Sequence, residues 1–188
     1  MSDLRPINER LSVPSRQLTG PGPDETQLQA LLTAAIRVPD HGRLNPFRLL
    51  LIRGERGRLL GEQLAQIHAR IEPDVSAGVL AKDRERFGAA PLVVTVVARL
   101  TRGHKVPEAE QRLTAGCVAY NLLLGAQALG FGAQWLTGWP AYAREVAAVL
   151  GLAENEEIVG FVHIGSVRMP AMEHARPVLA DLLSEWNG

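Results

Sequence analysis

The chain of 188 residues has a single cysteine, Cys117, so no intramolecular disulfide can form and a disulfide-framed secreted scaffold is excluded. It has no excess of either charge, with 20 Lys and Arg against 20 Asp and Glu. That balance speaks against nucleic acid as a partner, because phosphate backbones are met by a basic surplus. Lysine is almost missing: Lys82 and Lys105 are the only two, so the cations are nearly all arginine. The opening "MSDLRPINER" is polar and charged and lacks the apolar stretch of a secretory signal. With one cysteine and no such signal, the expected compartment is the cytoplasm.

Charge is missing altogether from Leu113 to Ala143. A run of 18 or more apolar residues suggests a membrane span. This one carries Thr114, Asn121 and Gln127, is interrupted by Gly116, Gly125 and Gly130, and has no Lys/Arg cluster just outside either end. It reads as a buried helix of a soluble protein, and no membrane partner is expected.

Other elements follow from spacing. In "TGPGPDETQ", Asp24 caps a helix with Gln27 as its reciprocal partner, and Leu28, Leu31, Leu32, Ala35 and Ile36 form its apolar face. "FRLLLI" (47–52) reads as a buried strand, and Leu60, Leu64, Ile67 and Ile71 return to helical spacing. "PLVVTVVARL" is β-branched from Val93 to Val97 and apolar on both faces. A long helix from about Glu108 to Leu129 and a strand from Ile158 to Gly165 complete a helix-rich α/β mixture rather than a regular βαβ array, in a chain (1–188) the size of one domain.

Several familiar sites are absent. "GFGAQW" has no third glycine and follows a helix, where a dinucleotide fingerprint follows a strand and opens a helix. There is no G-x-S-x-G elbow and no phosphate loop of the Walker type. His41, His68, His104, His163 and His174 show no metal-ligand spacing, so no metal is expected. Cys117 sits among Ala and Gly and reads as a small core residue. What stands out is arginine. "RVPDHGRLNPFR" puts Arg37, His41, Arg43 and Arg48 on twelve residues, Arg10 stands beside Ser12, and Arg168 and Arg176 flank the tail. A guanidinium fork with a hydroxyl suits a phosphate, although each cation taken alone reads more readily as a solvated surface charge.

Taken in order, "RLS" (10–12), "RVPDHGRLNPF" (37–47), "HKVPEAEQ" (104–111), "AGC" (115–117) and "GFGAQWLTG" (130–138) resemble the flavin-dependent nitroreductase family, in particular its small YdjA-type branch. The likeness covers about residues 8 to 167. It implies an α+β nitroreductase-like fold, a central sheet flanked by helices, and a homodimer with FMN at the subunit interface. It also implies FMN contacts at Arg10, Leu11, Ser12, Arg37, His41, Trp135, Leu136 and Thr137, with some supplied by the partner subunit. Arg176 matches the family's C-terminal arginine only loosely. Gly125, Ala126, Gln127, Ala128, Leu129 and Gly130 correspond to an NAD(P)H contact. Asn45 and Phe47 depart from the branch, which carries Gln and Trp there, and Leu11 replaces a common second arginine.

The implied activity is transfer of reducing equivalents from NAD(P)H through FMN to a nitroaromatic or similar electron-poor small molecule, by a ping-pong mechanism. The cofactor performs the redox chemistry, so no acid–base residue of the protein is expected to be catalytic. A flavin-binding protein without turnover is the alternative.

Overall fold

Five successive β-branched residues, Val93 to Val97, favour an extended backbone, and they form the middle of strand β3 (Leu92–Arg99). The structure is a computed structural model that describes residues 4–169 and 171–188. Around β3 stand β1 (Leu18–Thr19), β2 (Phe47–Arg53), β4 (Gly132–Leu136) and β5 (Glu156–Val167). The sheet order is β1-β5-β3-β2, with β4 also paired to β5, and every pairing is antiparallel. β3 is central and apolar on both faces because each face is covered.

The helices are α1 (Arg5–Asn8), α2 (Glu25–Ala35), α3 (Glu55–Ile71), α4 (Ala77–Glu85), α5 (Glu108–Ala128) and α6 (Arg144–Val149). Leu92, Val94 and Val96 of β3 join Val162 and Ile164 of β5 on one face, under Leu28 and Leu31 of α2 and Val118 and Leu122 of α5. On the other face Val93 and Phe161 meet Leu60, Leu64 and Ile67 of α3 and Val146 of α6. Helices thus flank a central sheet.

Asp24 caps α2 as its sequence indicates: its carboxylate accepts from the Gln27 backbone N–H at 2.8 Å, and the Gln27 side chain accepts from the Asp24 N–H at 3.0 Å. β2 differs from the expected buried strand. It pairs with β3 on one side only, so Phe47 to Leu51 stay half-buried and only Ile52 is fully covered.

In α5, the uncharged helix, burial divides by face. Thr114, Ala115, Val118, Ala119, Leu122 and Ala126 turn inward, whereas Leu113 is 71% and Tyr120 38% exposed. Cys117 lies on that outer face and is exposed, so the core position expected for it is incorrect. The inward residues recur at helical spacing, and position 117 falls with 113 and 120 on the other side. Among the described residues, no helix is long and apolar enough to cross a membrane.

The strand β4 has no β-branched residue and was not legible. α5 ends when Gly130 takes φ +83°, with its N–H donating to the carbonyl of Gln127 and that of Phe131 to Ala126, both at 2.9 Å. The chain then reverses straight into β4.

Candidate cofactor site

The segment from Arg10 to Ser15 crosses the end of α5 and runs along β4. The Leu11 N–H donates to the Gln127 side-chain oxygen at 3.2 Å, Val13 N–H to the Ala133 carbonyl at 3.0 Å, and Ser15 N–H to the Gln134 side-chain oxygen at 2.6 Å. Gly132 permits this crossing, since a Cβ there would lie within 2.7–2.9 Å of Val167, Leu18 and Val13. Arg10 Nη1 donates to Ser12 Oγ at 3.1 Å, and among the described residues no carboxylate pairs with Arg10. From the C-terminal tail, Arg176 donates through Nη2 to the Arg10 carbonyl at 2.9 Å and through Nε to Glu173 at 2.6 Å.

Along the same segment lies an open strand edge. The Ala133 carbonyl points away from β5, toward Val13. In an antiparallel ladder, polar groups alternate between the two edges, so the backbone of Trp135 also faces outward, beyond the point where the 11–15 segment covers β4. The Trp135 side chain does not fill that edge: its indole donates to the Val159 carbonyl at 3.3 Å and packs over Gly160. Outward-facing backbone groups at Trp135 therefore lie on the strand that this segment follows, and the segment begins with a guanidinium bonded to a hydroxyl and to no described carboxylate. That donor set fits a planar heterocycle bearing an anionic phosphate.

The other arginine cluster is elsewhere on the chain. Asn121 of α5 donates to the carbonyls of Ala35 and Arg37 at 3.2 and 3.3 Å, and Thr114 to that of Pro39 at 3.1 Å. The Asp40 carboxylate shapes the turn by accepting from the N–H groups of Leu44 and Asn45 at 3.2 and 2.8 Å. Arg43 (φ +54°) and Asn45 (φ +47°) adopt left-handed backbone there, a strained choice for arginine. His41 bonds Glu110 at 2.7 Å, while Arg37 and Arg43 are exposed and have no carboxylate partner among the described residues. This loop is tied to α5 at residues 110–121 and the Arg10 segment at 127, a separation of roughly 9 to 25 Å along the helix.

One chain thus gathers Arg10, Leu11, Ser12, Gln127 and Arg176 near β4, but leaves Arg37 and His41 apart from them. Of residues 125–130, Ala126 is buried, Gly125 abuts Leu31 and Gln127 holds Leu11, leaving Ala128 and Gly130 exposed. Phe47, which departs from the expected tryptophan, opens β2 and packs against the core. Two surface clefts, of about 690 and 590 Å³, lie away from Arg10 and β4, one along α2 and the other between α6 and the start of β5.

A buried polar cluster had no sequence signal. Asp83 of α4 is 1% exposed and accepts from Trp139 Nε1 at 3.0 Å, and it bonds His68 Nδ1 of α3 at 2.6 Å. His68 Nε2 faces Glu72 at 3.2 Å. Burial works against a charge on His68, but the bonds to Asp83 and Glu72 outweigh it and raise its pKa. His163 of β5 is the opposite case. It is fully buried, stacks on Phe87 with centroids 5.5 Å apart and has no partner among the described residues for either ring nitrogen. Burial first, and then Arg86, push its pKa down to about 4.

Residues 7–166 match the sequence profile of the Nitroreductase family. The chain belongs to the nitroreductase family. Its relatives agree: it is 35% identical over 155 residues to the Escherichia coli K12 protein named "Putative NAD(P)H nitroreductase YdjA", covering 82% of this chain and 84% of that one. The nitroreductase-like fold is shared with a Bacillus cereus protein described as a "Nitroreductase-like Family Protein" at a TM-score of 0.83, with 23% identity over 100% of this chain and 97% of the other. A Desulfovibrio desulfuricans protein, described as a "putative nitroreductase in complex with fmn", aligns at a TM-score of 0.73 with 26% identity, over 97% and 95% of the two chains. Membership makes this nitroreductase an oxidoreductase.

Proposed function

We propose that this nitroreductase binds FMN at the Arg10–Ser12 segment and carries reducing equivalents from NAD(P)H to an electron-poor small molecule such as a nitroaromatic. The observation that carries the reading is the Arg10–Ser12 pair, joined at 3.1 Å, free of any described carboxylate and set beside the uncovered edge of β4. The FMN complex of the Desulfovibrio relative and the NAD(P)H in the name of the E. coli relative support it.

Each group has a role in this proposal. Arg10 and Ser12 hold the phosphate, and the wall of Trp135, Leu136 and Thr137 orients the ring, with the outward-facing backbone of Trp135 as its donor and acceptor. Bound there, FMN would supply the two-electron redox chemistry, the protein supplying position and electrostatics. Arg176 supports the site by fixing the Arg10 carbonyl. A cation such as Arg37 would favour negative charge developing on the ring.

The proposed active form is a homodimer. One chain leaves in water the outer face of α5 and a tail whose Leu179, Leu182, Leu183 and Trp186 are 65–91% exposed. Apolar surface of that extent marks an interface. A second copy on α5 would bring its own Arg37–Arg43 loop toward the Arg10 segment, joining the two arginine groups that one chain keeps apart.

The test is the purified protein. It is expected to be yellow, to release FMN rather than FAD, and to bleach when NAD(P)H is added without an acceptor. A colourless protein that takes up no added FMN refutes the cofactor. Tight FMN binding without bleaching by NADH or NADPH would instead favour a flavin-binding protein without turnover.

A further inference from the structure

We propose that Asp83 is a positioning residue for the ring-binding segment Trp135–Gly138, acting through the indole of Trp139. The inference rests on the FMN reading above and extends it to a carboxylate on the far side of the sheet.

After β4 ends at Leu136, the chain turns through Gly138 at φ +69° into a 3-10 turn, Trp139–Ala141. Strand pairing no longer holds the backbone at Thr137 and Gly138. The next anchored side chain is Trp139, one residue beyond, which packs into the core beneath α3 and α4. Its Nε1–H donates to Asp83 Oδ1 at 3.0 Å, and its ring lies 4.4 Å from that of His68, tilted by 37°. The same carboxylate takes His68 Nδ1 at 2.6 Å on its other oxygen, and Arg86 Nη2 approaches at 3.5 Å. Arg86 also reaches the turn itself, with Nη1 at 3.3 Å from where a Cβ on Gly138 would stand.

An almost fully buried carboxylate is costly unless it is compensated, and removing it alone would strand the donors of His68 and Trp139 that it now satisfies. Here its bonds converge on the turn that ends the proposed ring-binding wall. Two oxygens with fixed partners set where the Trp139 indole sits, and the indole sets the path of residues 137–139. Packing alone would let the ring slide along the α3–α4 surface; a directional N–H bond to an immobile acceptor does not.

Trp139→Phe keeps an aromatic ring in the core but removes the indole N–H together with the volume of one ring, so its melting temperature is expected to fall while the protein still folds. Its FMN dissociation constant is expected to rise about tenfold, with an altered visible circular dichroism of bound FMN, because the ring no longer sits as before. Asp83→Asn should change the same two quantities, and the double variant should add little. Arg10→Ala, at the phosphate end, should weaken binding without changing the shape of that spectrum. A folded Trp139→Phe protein with wild-type affinity and wild-type dichroism overturns the proposal. Should both variants fail to fold, hydrogen exchange on the wild-type protein decides. Added FMN should slow exchange at residues 83–87 together with 135–141, and slowing confined to 135–138 overturns it. The wild-type titration reads the cofactor assignment separately, and if that protein takes up no FMN, both proposals fall.

Discussion

Arg176 donates to the backbone carbonyl of Arg10 at 2.9 Å, across 166 positions of sequence. The tail therefore reaches the segment proposed for the flavin phosphate, yet it does so at the main chain. The Arg176 fork is already divided between Glu173 and that carbonyl, whereas the Arg10 guanidinium is bonded only to the Ser12 hydroxyl among the described residues. A charge-assisted contact to phosphate contributes about 1.5–3 kcal/mol, so Arg10→Ala should weaken FMN binding by roughly ten- to hundred-fold. Arg176→Ala should weaken it less. Fluorescence titration of FMN measures both, and a larger loss in Arg176→Ala would make that side chain the direct phosphate partner.

Stability should fall in acid because of His163. Its pKa is about 4 in the folded protein and about 6.5 when unfolded, so between those values the unfolded chain binds a proton that the folded one refuses. The resulting loss is about 2 kcal/mol at pH 5 relative to neutral pH. His68 acts in the other direction: its pKa is raised, so its contribution is present below about 6.5 and is lost as pH rises through the folded value. Urea unfolding at pH 7 and pH 5 should show His163→Leu losing less stability on acidification than the wild type. Equal losses would mean that His163 does not titrate as its surroundings dictate.

Cys117 offers a probe of the proposed dimer. Its thiol is exposed on the outer face of α5, with Leu113 and Tyr120 on the same side. If a second copy covers that face, a thiol reagent should modify Cys117 slowly at high protein concentration and quickly on dilution into monomer. Fast modification at every concentration would remove this face from the interface. Cys117→Ala should leave turnover nearly unchanged, as the thiol bonds no group of the proposed site.

Kinetics test the shared pocket. One backbone wall at 135–137 is proposed to serve the cofactor ring, and the fingerprint-like glycines of "GFGAQW" join a helix to a strand rather than opening a helix after a strand. NAD(P)H and the acceptor should then bind in turn. Initial rates against NAD(P)H at several nitroaromatic concentrations should give parallel double-reciprocal lines. Intersecting lines would require both substrates to be bound together.

The Asp24–Gln27 cap was legible in the sequence because both hydrogen bonds close within three residues. So was β3, where five β-branched side chains favour one backbone conformation, and so were the presence of α3, the core of β5 and the extent of α5, whose apolar spacing is a local property. The family motifs likewise stood in order along the chain. Tertiary structure decided the rest. β4 is a strand only because β5 pairs with it; its own residues, Gly-Ala-Gln-Trp-Leu, carry little extended preference. The exposure of Cys117 could not be read, because α5 is uncharged on both faces beyond Arg112 and polarity does not say which one meets the sheet. His68, Asp83 and Trp139 stand 15 and 56 positions apart on three elements, and only the packing of α3 and α4 under the 3-10 turn makes them one cluster. Hydrogen bonds between near neighbours in sequence follow from local conformation, whereas the meeting of distant polar groups depends on how whole faces are buried, which no short stretch encodes.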